Sequence, residues 1–531
     1  MGNDTEITGE LKMAYHEGFY LFAFLPLALI CYQIVAEKHR WKVLLVFSFI
    51  YFYLFSGQLV LYMIGSTVLT HYASIWISWI KMKYTQELLE VPKEKKSAIR
   101  KAGQKKQRMV LTIAVLALLG LLAYLKYSNF FLENMNSVLA ALNVDYSFTI
   151  SKILVPIGIS FYTLEQIGYI ADVYWDKIEP EKNLGKLMLF FGFFPLVMEG
   201  PISSYESVSK SLFSGQKLNF ENLKDGFLRI VWGLMKKMVV ADRLYVLVDK
   251  VFSNYQDYSG VIIILAAVCY TIQLYMEFSG CMDIVIGSGK LFGVELPENF
   301  KQPFFSKNAG EFWRRWHISL GTWFRTYIFY PVSVSKLVKK WNKFGNKKVG
   351  KNVTRIVTSA FTLFPVWLCN GLWHGANWSY IFYGMYYFVI LMIEVIVEPL
   401  TNKLTKKYNL DTLRIFKTWI IIFTGELFFR AESLPAGISM FTSIFTDFIP
   451  ENIGSISLGI GYADVFAIVL GCVLVGIVST LKEKNIDLKE KLSTLKTPVR
   501  WAVYYALIFM IIILGAYGTG YQPVDLIYAG F

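Results

Sequence analysis

The chain has 531 residues, 55% of them hydrophobic and 17% aromatic, and only 17% charged. Soluble chains carry about 25% charged and 45–50% apolar residues, so this composition excludes a disordered protein and argues against a soluble enzyme. The net charge is +14, yet four polar stretches (81–108, 336–355, 400–417 and 481–500) hold 29 of the 53 Lys and Arg and only 7 of the 39 acids. Such clustering marks the cytoplasmic loops of a membrane protein rather than a surface for nucleic acid.

In chain order, the first apolar run, 18–36, follows Asp4, Glu6, Glu10 and Glu17 and precedes Lys38, His39, Arg40 and Lys42, which places the N-terminus outside. The acidic start does not resemble a secretory signal, and Glu6 stands where a myristoylation site needs Ser or Thr. Runs 43–55 and 59–80 meet at the turn Ser56-Gly57-Gln58, and the basic loop 81–108 then lies inside. Run 109–127 crosses outward and 152–171 returns.

The stretches 187–201, 227–240 and 260–279 are interrupted by Pro195, Pro201, Lys236, Lys237 and Asp242. Irregular backbone at membrane depth is tolerated only where protein covers it or it lines a cavity, so broken or re-entrant helices around a central chamber are predicted here. Beyond loop 336–355, runs 356–371, 378–397, 419–429, 462–480 and 501–515 alternate across the membrane, leaving the tail outside. The prediction is an all-α polytopic membrane protein of about 10–13 transmembrane helices. It divides into N-terminal helices (1–150), a core (151–400) and C-terminal helices (401–531). The five cysteines, Cys31, Cys269, Cys281, Cys369 and Cys472, are scattered, with no disulfide or ligand spacing.

Only five histidines occur. His16 lies in a polar segment, His39 in a basic loop, and His71 inside an apolar run as a packed interior residue. His317 sits in EFWRRWHISLGTWFRTYIFYP at 311–331, where Arg314, Arg315 and Arg325 need a cavity, an ion partner or the interface to offset their cost at membrane depth. His374 sits in CNGLWHGANW at 369–378, where Gly371 and Gly375 let backbone or ligand come close. A neutral imidazole at such a place is suited to take a proton from a hydroxyl or thiol. The two histidines lack further ligands at metal spacing, no GxSxG nucleophile motif occurs, and Gly287-Ser288-Gly289-Lys290 is a poor match to a phosphate loop. What remains suits acyl or proton transfer between substrates that the protein positions itself.

These residues fall in ordered motifs: VPIGISFYTLEQIGYIADVY at 155–174, FFPLVMEGPISSYESV at 193–208 and GLMKKMVVADRL at 233–244. They continue with IQLYMEFSGCMDIVIG at 272–287, PENFKQPFFSKNAGEFWRRWHISLGTWFRTYIFYP at 297–331, GLWHGANW at 371–378 and ELFFRAES at 426–433. Together they resemble the membrane-bound O-acyltransferase (MBOAT) family, in its bacterial alginate O-acetyltransferase-like branch. Glu199, Glu277, Cys281 and Thr326 depart from the usual pattern of that branch.

The resemblance implies a ring of helices around a thinned centre, with an outer funnel and a channel toward the cytoplasm. It matches His374 and His317 to the family's two histidines, with His374 expected as the catalytic base and His317 as an auxiliary. The charge pattern, which places His374 toward the outside and His317 before a cytoplasmic stretch, separates the two along the membrane normal. Trp313, Arg314, Arg315, Trp316, Asn370 and Trp373 are the expected substrate-binding residues. It further implies an acyl thioester donor such as acetyl-CoA, no other cofactor, and a glycan or cell-wall polymer as extracytoplasmic acceptor. An extracytoplasmic acyltransferase partner and a place among the lipids of a bacterial plasma membrane complete the expectation. The alternatives are D-alanyl transfer to teichoic acid, a scaffold for a partner enzyme, and a transporter or flippase of a glycan precursor. The histidine motifs and the missing internal repeat argue against the transporter.

Overall fold

The computed structural model describes residues 14–150, 153–449 and 458–517, with 521 and 524. Asp4, Glu6 and Glu10, the first residue of run 152–171 and most of the C-terminal tail lie outside these residues. Among the described residues there is no strand, and one isolated bridge joins Phe300 to Trp316. The all-α expectation holds.

Helices α1 (Leu25–Ile34), α2 (Arg40–Ser56), α3 (Val60–Glu90) and α4 (Lys93–Leu122) open the chain. The turn expected at Ser56-Gly57-Gln58 is there, with Gly57 at φ 51°. The basic stretch 81–108 is not a loop, however. It is the polar end of α3 and the start of α4, broken only at Val91-Pro92. Lys and Arg are good helix formers, so each helix simply continues past its apolar run. The other basic stretches are likewise largely helical, falling in α15 (Lys336–Lys348), the ends of α17 (Trp378–Lys407) and α18 (Asp411–Arg430), and α21 (Leu488–Thr494).

A π-turn, Ala123–Tyr127, carries α4 into α5 (Ser128–Ala141). Next come α6 (Ile159–Tyr174), α7 (Leu184–Gly192) and α8 (Tyr205–Leu212). Between α7 and α8 the predicted break is real: residues 193–203 are non-helical yet buried. Their backbone is satisfied by side chains from other helices, as membrane depth demands. Ser48 Oγ accepts from Phe194 N–H at 3.1 Å, Ser319 Oγ from Ile202 N–H at 3.1 Å, and Glu165 Oε1 from Ser203 N–H at 2.9 Å. The Tyr15 hydroxyl donates to Phe194 O at 3.0 Å and accepts from Met198 N–H at 3.1 Å.

Helices α9 (Phe220–Leu234) and α10 (Asp242–Ser253) are joined through a second π-turn, Met235–Ala241, and pack along the 32-residue α11 (Gly260–Leu291). The packing is a glycine seam. A Cβ on Gly233 would sit 2.4 Å from the carbonyl oxygen of Gly280, and one on Gly226 would sit 2.8 Å from that of Gly287. Only glycine permits helices to approach so closely. Gly287 to Lys290 is thus helix interior and no phosphate loop. Lys236 and Lys237, which interrupt the apolar pattern, are buried but paired. Lys236 meets Asp283 at 2.6 Å, and Lys237 meets Asp242 at 2.7 Å and Glu277 at 3.3 Å. Buried charges persist only with such partners.

Four short helices follow, α12 (Ala309–Arg315), α13 (Ile318–Phe324), α14 (Tyr330–Ser333) and α15. The long α16 (Lys351–His374) packs on α17, and α17 on α18. Finally α19 (Leu434–Thr446), which the hydropathy pattern did not reveal, precedes α20 (Tyr462–Glu483), α21 and α22 (Thr497–Leu514). Among the described residues, seven helical stretches are long and apolar enough to cross a membrane. One of them, Glu37–Glu90, contains both α2 and α3, and Tyr20–Ile34 and Leu434–Thr446 are shorter apolar helices. The ten charged residues of 220–253 keep that stretch out of this count, although its inner face is buried.

Candidate active site

His317 owes its position to a break in the chain. Asn308 caps α12 by accepting from Glu311 N–H at 2.7 Å. Trp316 then turns extended, and His317 takes a left-handed conformation (φ 47°, ψ 52°) before α13 begins. A non-glycine residue held there costs about 1–3 kcal/mol, and such strain concentrates at functional sites. The imidazole is buried, with the Phe278 ring edge-on at 4.8 Å.

Its tautomer is fixed by Asn299. Ser319 N–H donates to Asn299 Oδ1 at 3.0 Å, so that oxygen is an acceptor. His317 Nδ1, 3.3 Å from the same oxygen, must then donate, which leaves the lone pair of the neutral ring on Nε2.

His374 is the last residue of α16 and is also buried. The chain turns at Gly375, and Asn377 caps α17 through Ser379 N–H at 2.9 Å. A Cβ on Gly384 would lie 2.3 Å from Trp367 O, and one on Gly371 2.4 Å from Tyr380 O. The two helices therefore touch through their backbones just below the histidine. Phe429 and Tyr383 pack edge-on against the imidazole at 5.0 and 5.7 Å. Trp373 lies against both histidines, 5.0 Å from His374 and 5.6 Å from His317.

The two histidines therefore do not serve opposite ends of a channel, as expected, but pack on the same indole ring. The break between the short helices α12 and α13, with Trp316 extended and His317 left-handed, brings the His317 imidazole to that ring.

Both histidines line one cavity of about 830 Å³. Along α17 its wall runs from Tyr383 to Asn402, about 28 Å at 1.5 Å per residue, so it is a channel rather than a pit. At the deep end stand Trp313, Trp316, Asn370 and Glu426 with the histidines. Trp313 Nε1, Asn370 Oδ1 and Glu426 Oε2 are buried without a protein partner among the described residues, so all three are available to a ligand. Glu426 Oε1 accepts from the Tyr383 hydroxyl at 3.1 Å.

At the other end the wall is basic. Lys307 and Arg414 are paired there with Asp411, and Lys417 with Glu394. Arg314 and Arg325 also line the channel and have no carboxylate in ion-pair reach among the described residues. Among these residues no three His, Cys, Asp or Glu side chains converge to hold a metal ion.

Of the expected site residues, His317, His374, Trp313, Arg314, Trp316 and Asn370 line the channel. Trp373 stands behind the imidazoles as their shared packing partner. Arg315 does not belong to the channel wall. It points the other way, to Glu483 at 2.7 and 3.1 Å and to Glu311 at 2.8 Å. Arg315 lies about 100° round the helix from Arg314, and that step carries it toward Glu483.

Sequence reasoning missed Tyr383 and Lys126. Asn299 and Glu426 stood within quoted motifs without a role. The signal for Glu426 and Lys126 was available, since each is an ionisable residue inside an apolar run. Nothing local marks Asn299.

An all-helical bundle that crosses the membrane and brings a basic-mouthed channel to two buried imidazoles is the architecture of a membrane-embedded transferase. The chain belongs to the membrane-bound O-acyltransferase family, whose profile matches residues 182–434, and it is an O-acyltransferase. A protein of Pseudomonas syringae pv. tomato named as a probable alginate O-acetylase is 32% identical over 434 residues, which cover 82% of this chain and 75% of its own. The peptidoglycan O-acetyltransferase of Helicobacter pylori is 27% identical over 463 residues, 81% of this chain and 79% of its own. The teichoic acid D-alanyltransferase of Bacillus subtilis is 29% identical over 257 residues, 48% of this chain and 61% of its own.

Proposed function

We propose that the protein, in the plasma membrane of a bacterium, transfers an acetyl group from a cytoplasmic thioester, acetyl-CoA, toward hydroxyls of an extracytoplasmic polysaccharide or cell-wall polymer. An extracytoplasmic acyltransferase receives or completes the transfer. The observation that carries this reading is the placing of His317 and His374 together in one channel whose wall also carries Arg314 and Arg325, which have no carboxylate in ion-pair reach among the described residues. Guanidinium groups suit phosphate, which a coenzyme thioester carries and a neutral acyl donor does not. The two relatives named for O-acetyl transfer match about four-fifths of this chain, against about half for the D-alanyltransferase, which supports acetyl over D-alanyl.

In the reaction, His374 takes the proton of the acceptor hydroxyl as its oxygen attacks the thioester carbonyl. The tetrahedral intermediate collapses with cleavage of the C–S bond, and the imidazolium returns the proton to the departing thiolate. His317, its Nδ1–H committed to Asn299, offers Nε2 to hold the donor in line. A positioned general base contributes about 10²–10⁴-fold, and loss of one that also protonates the leaving group costs more.

The test uses full-length protein in nanodiscs, with thiol release from acetyl-CoA and acetyl transfer to a cell-wall polymer fraction as readouts. His374→Ala is expected to abolish transfer while insertion persists, and His374→Gln fails to rescue it because an amide cannot accept the proton. His317→Ala impairs transfer less completely. Near-native turnover by folded His374→Ala refutes the assignment.

A further inference from the structure

The C-terminal turn of α16 needs partners from elsewhere in the fold, because its last carbonyls have no helical N–H. Two of them are met by consecutive residues of the N-terminal region. The Tyr127 hydroxyl donates to Leu372 O, and Lys126 Nζ donates to Trp373 O at 3.0 Å, one residue before His374. Lys126 Nζ also donates to Ser160 Oγ on α6 at 3.1 Å. The carbonyl of Ser160 lies 3.5 Å from the indole Nε1 of Trp373, whose ring spaces the two imidazoles.

The side chains reach α16 because α4 opens into the π-turn Ala123–Tyr127 at this point. Such turns are rare and are found preferentially at functional sites. No carboxylate stands within ion-pair reach of Lys126 among the described residues, so what the partly buried ammonium faces is the negative end of the α16 dipole. A lysine inside a membrane helix is expensive, and a neutral donor could have capped the carbonyl. The charge itself therefore has a use.

We propose that Lys126 is a positioning residue for His374. Its ammonium clamps the last turn of α16 to α6, fixes Trp373, and thereby sets the direction in which the imidazole meets the channel. The assignment rests on His374 carrying the chemistry, as proposed above. It extends the working site beyond the matched family region, 182–434, into a helix that region does not include.

The experiment compares Lys126→Met, Lys126→Gln, Lys126→Arg and His374→Ala in full-length protein in nanodiscs, with acetyl-CoA as donor and the amount of folded protein measured for each. Lys126→Met should lower kcat per folded molecule by about tenfold or more, while KM for acetyl-CoA stays within about twofold. Lys126→Arg, which keeps the charge and the donor, should restore kcat to within about threefold of the parent. Lys126→Gln, with a donor but no charge, should fall with Met and serves in its place if the Met variant does not insert.

A residue that only braced the fold would change the yield of folded protein and leave kcat per molecule unmoved. That result, or Arg performing no better than Met and Gln, overturns the proposal. If His374→Ala is inactive while the neutral Lys126 variants are fully active, the positioning role alone fails. If His374→Ala is active, the reading of the site fails instead.

Discussion

Replacing Asn299 with leucine separates the stability of this site from its chemistry. Asn299 is 1% exposed, and its Oδ1 serves two donors, Ser319 N–H at 3.0 Å and His317 Nδ1 at 3.3 Å. Leucine fills the same volume and accepts neither, so a buried N–H loses its partner at a cost of about 1–3 kcal/mol. The thermal midpoint in detergent should fall accordingly. The second loss is functional. With Nδ1 released, the neutral imidazole divides between two tautomers, and the one protonated on Nε2 cannot accept a hydrogen bond from the donor. An orienting partner is worth up to about 10⁴-fold for the catalytic histidine of a serine protease. For an auxiliary histidine we expect a fall in kcat of about 10–100-fold, the range seen when outer partners of metal-bound histidines are removed. Asn299→Asp keeps an acceptor for both donors and should retain more activity than Asn299→Leu, whatever its stability. The measurement is thiol release from acetyl-CoA per folded molecule in nanodiscs. If Asn299→Leu lowers the midpoint but leaves kcat within about twofold, Asn299 serves folding alone and the tautomer argument is wrong.

Three further outcomes are expected. Arg315→Gln should leave KM for acetyl-CoA unchanged and lower stability by about 1 kcal/mol, with a non-additive cycle against Glu483→Gln, because Arg315 pairs with Glu483 and not with the channel; a raised KM contradicts this. Gly384→Ala should sharply reduce activity, because its Cβ would press on Trp367 O from 2.3 Å and force α17 away from the helix that carries Asn370 and His374; full activity would show that this crossing can yield. Single cysteines placed in 81–108, 336–355, 400–417 and 481–500 of a cysteine-free variant should resist an impermeant thiol reagent in intact cells, and labelling of two or more stretches would invert the topology.

The two histidine motifs were legible because the residues they hold are chemically out of place: imidazoles, arginines and tryptophans amid aliphatic residues. Charge clustering located the polar ends of the helices but not their structure, since composition cannot distinguish a basic loop from a helix that continues into water. The interruption around Pro195 and Pro201 correctly announced buried irregular backbone. Its stabilisers, Ser48, Glu165 and Ser319, are distant in sequence and could not be read. The neighbourhood of the histidines was misjudged for a related reason. Placing a residue by its nearest basic stretch assumes a chain that advances steadily, whereas Trp316 is extended and His317 left-handed between two short helices. Asn299 illustrates the same limit, for an asparagine in a loop acquires its meaning only from the two donors that the fold brings to it.

The glycine seam between α9 and α11 bears on how cargo crosses this molecule. Where a Cβ would stand 2.4–2.8 Å from a facing carbonyl, the two backbones are already in register, tooth against notch. Ile230 and Ile284 already touch the facing glycines from either side of these contacts, so sliding one helix past the other would press side chains into the opposite backbone. A carrier that works by rocking its halves needs a surface that can shear, and this seam denies it one in the middle of the bundle. A fixed seam of this kind fits the transfer proposed above, in which the acyl group changes hands between walls that stay where they are.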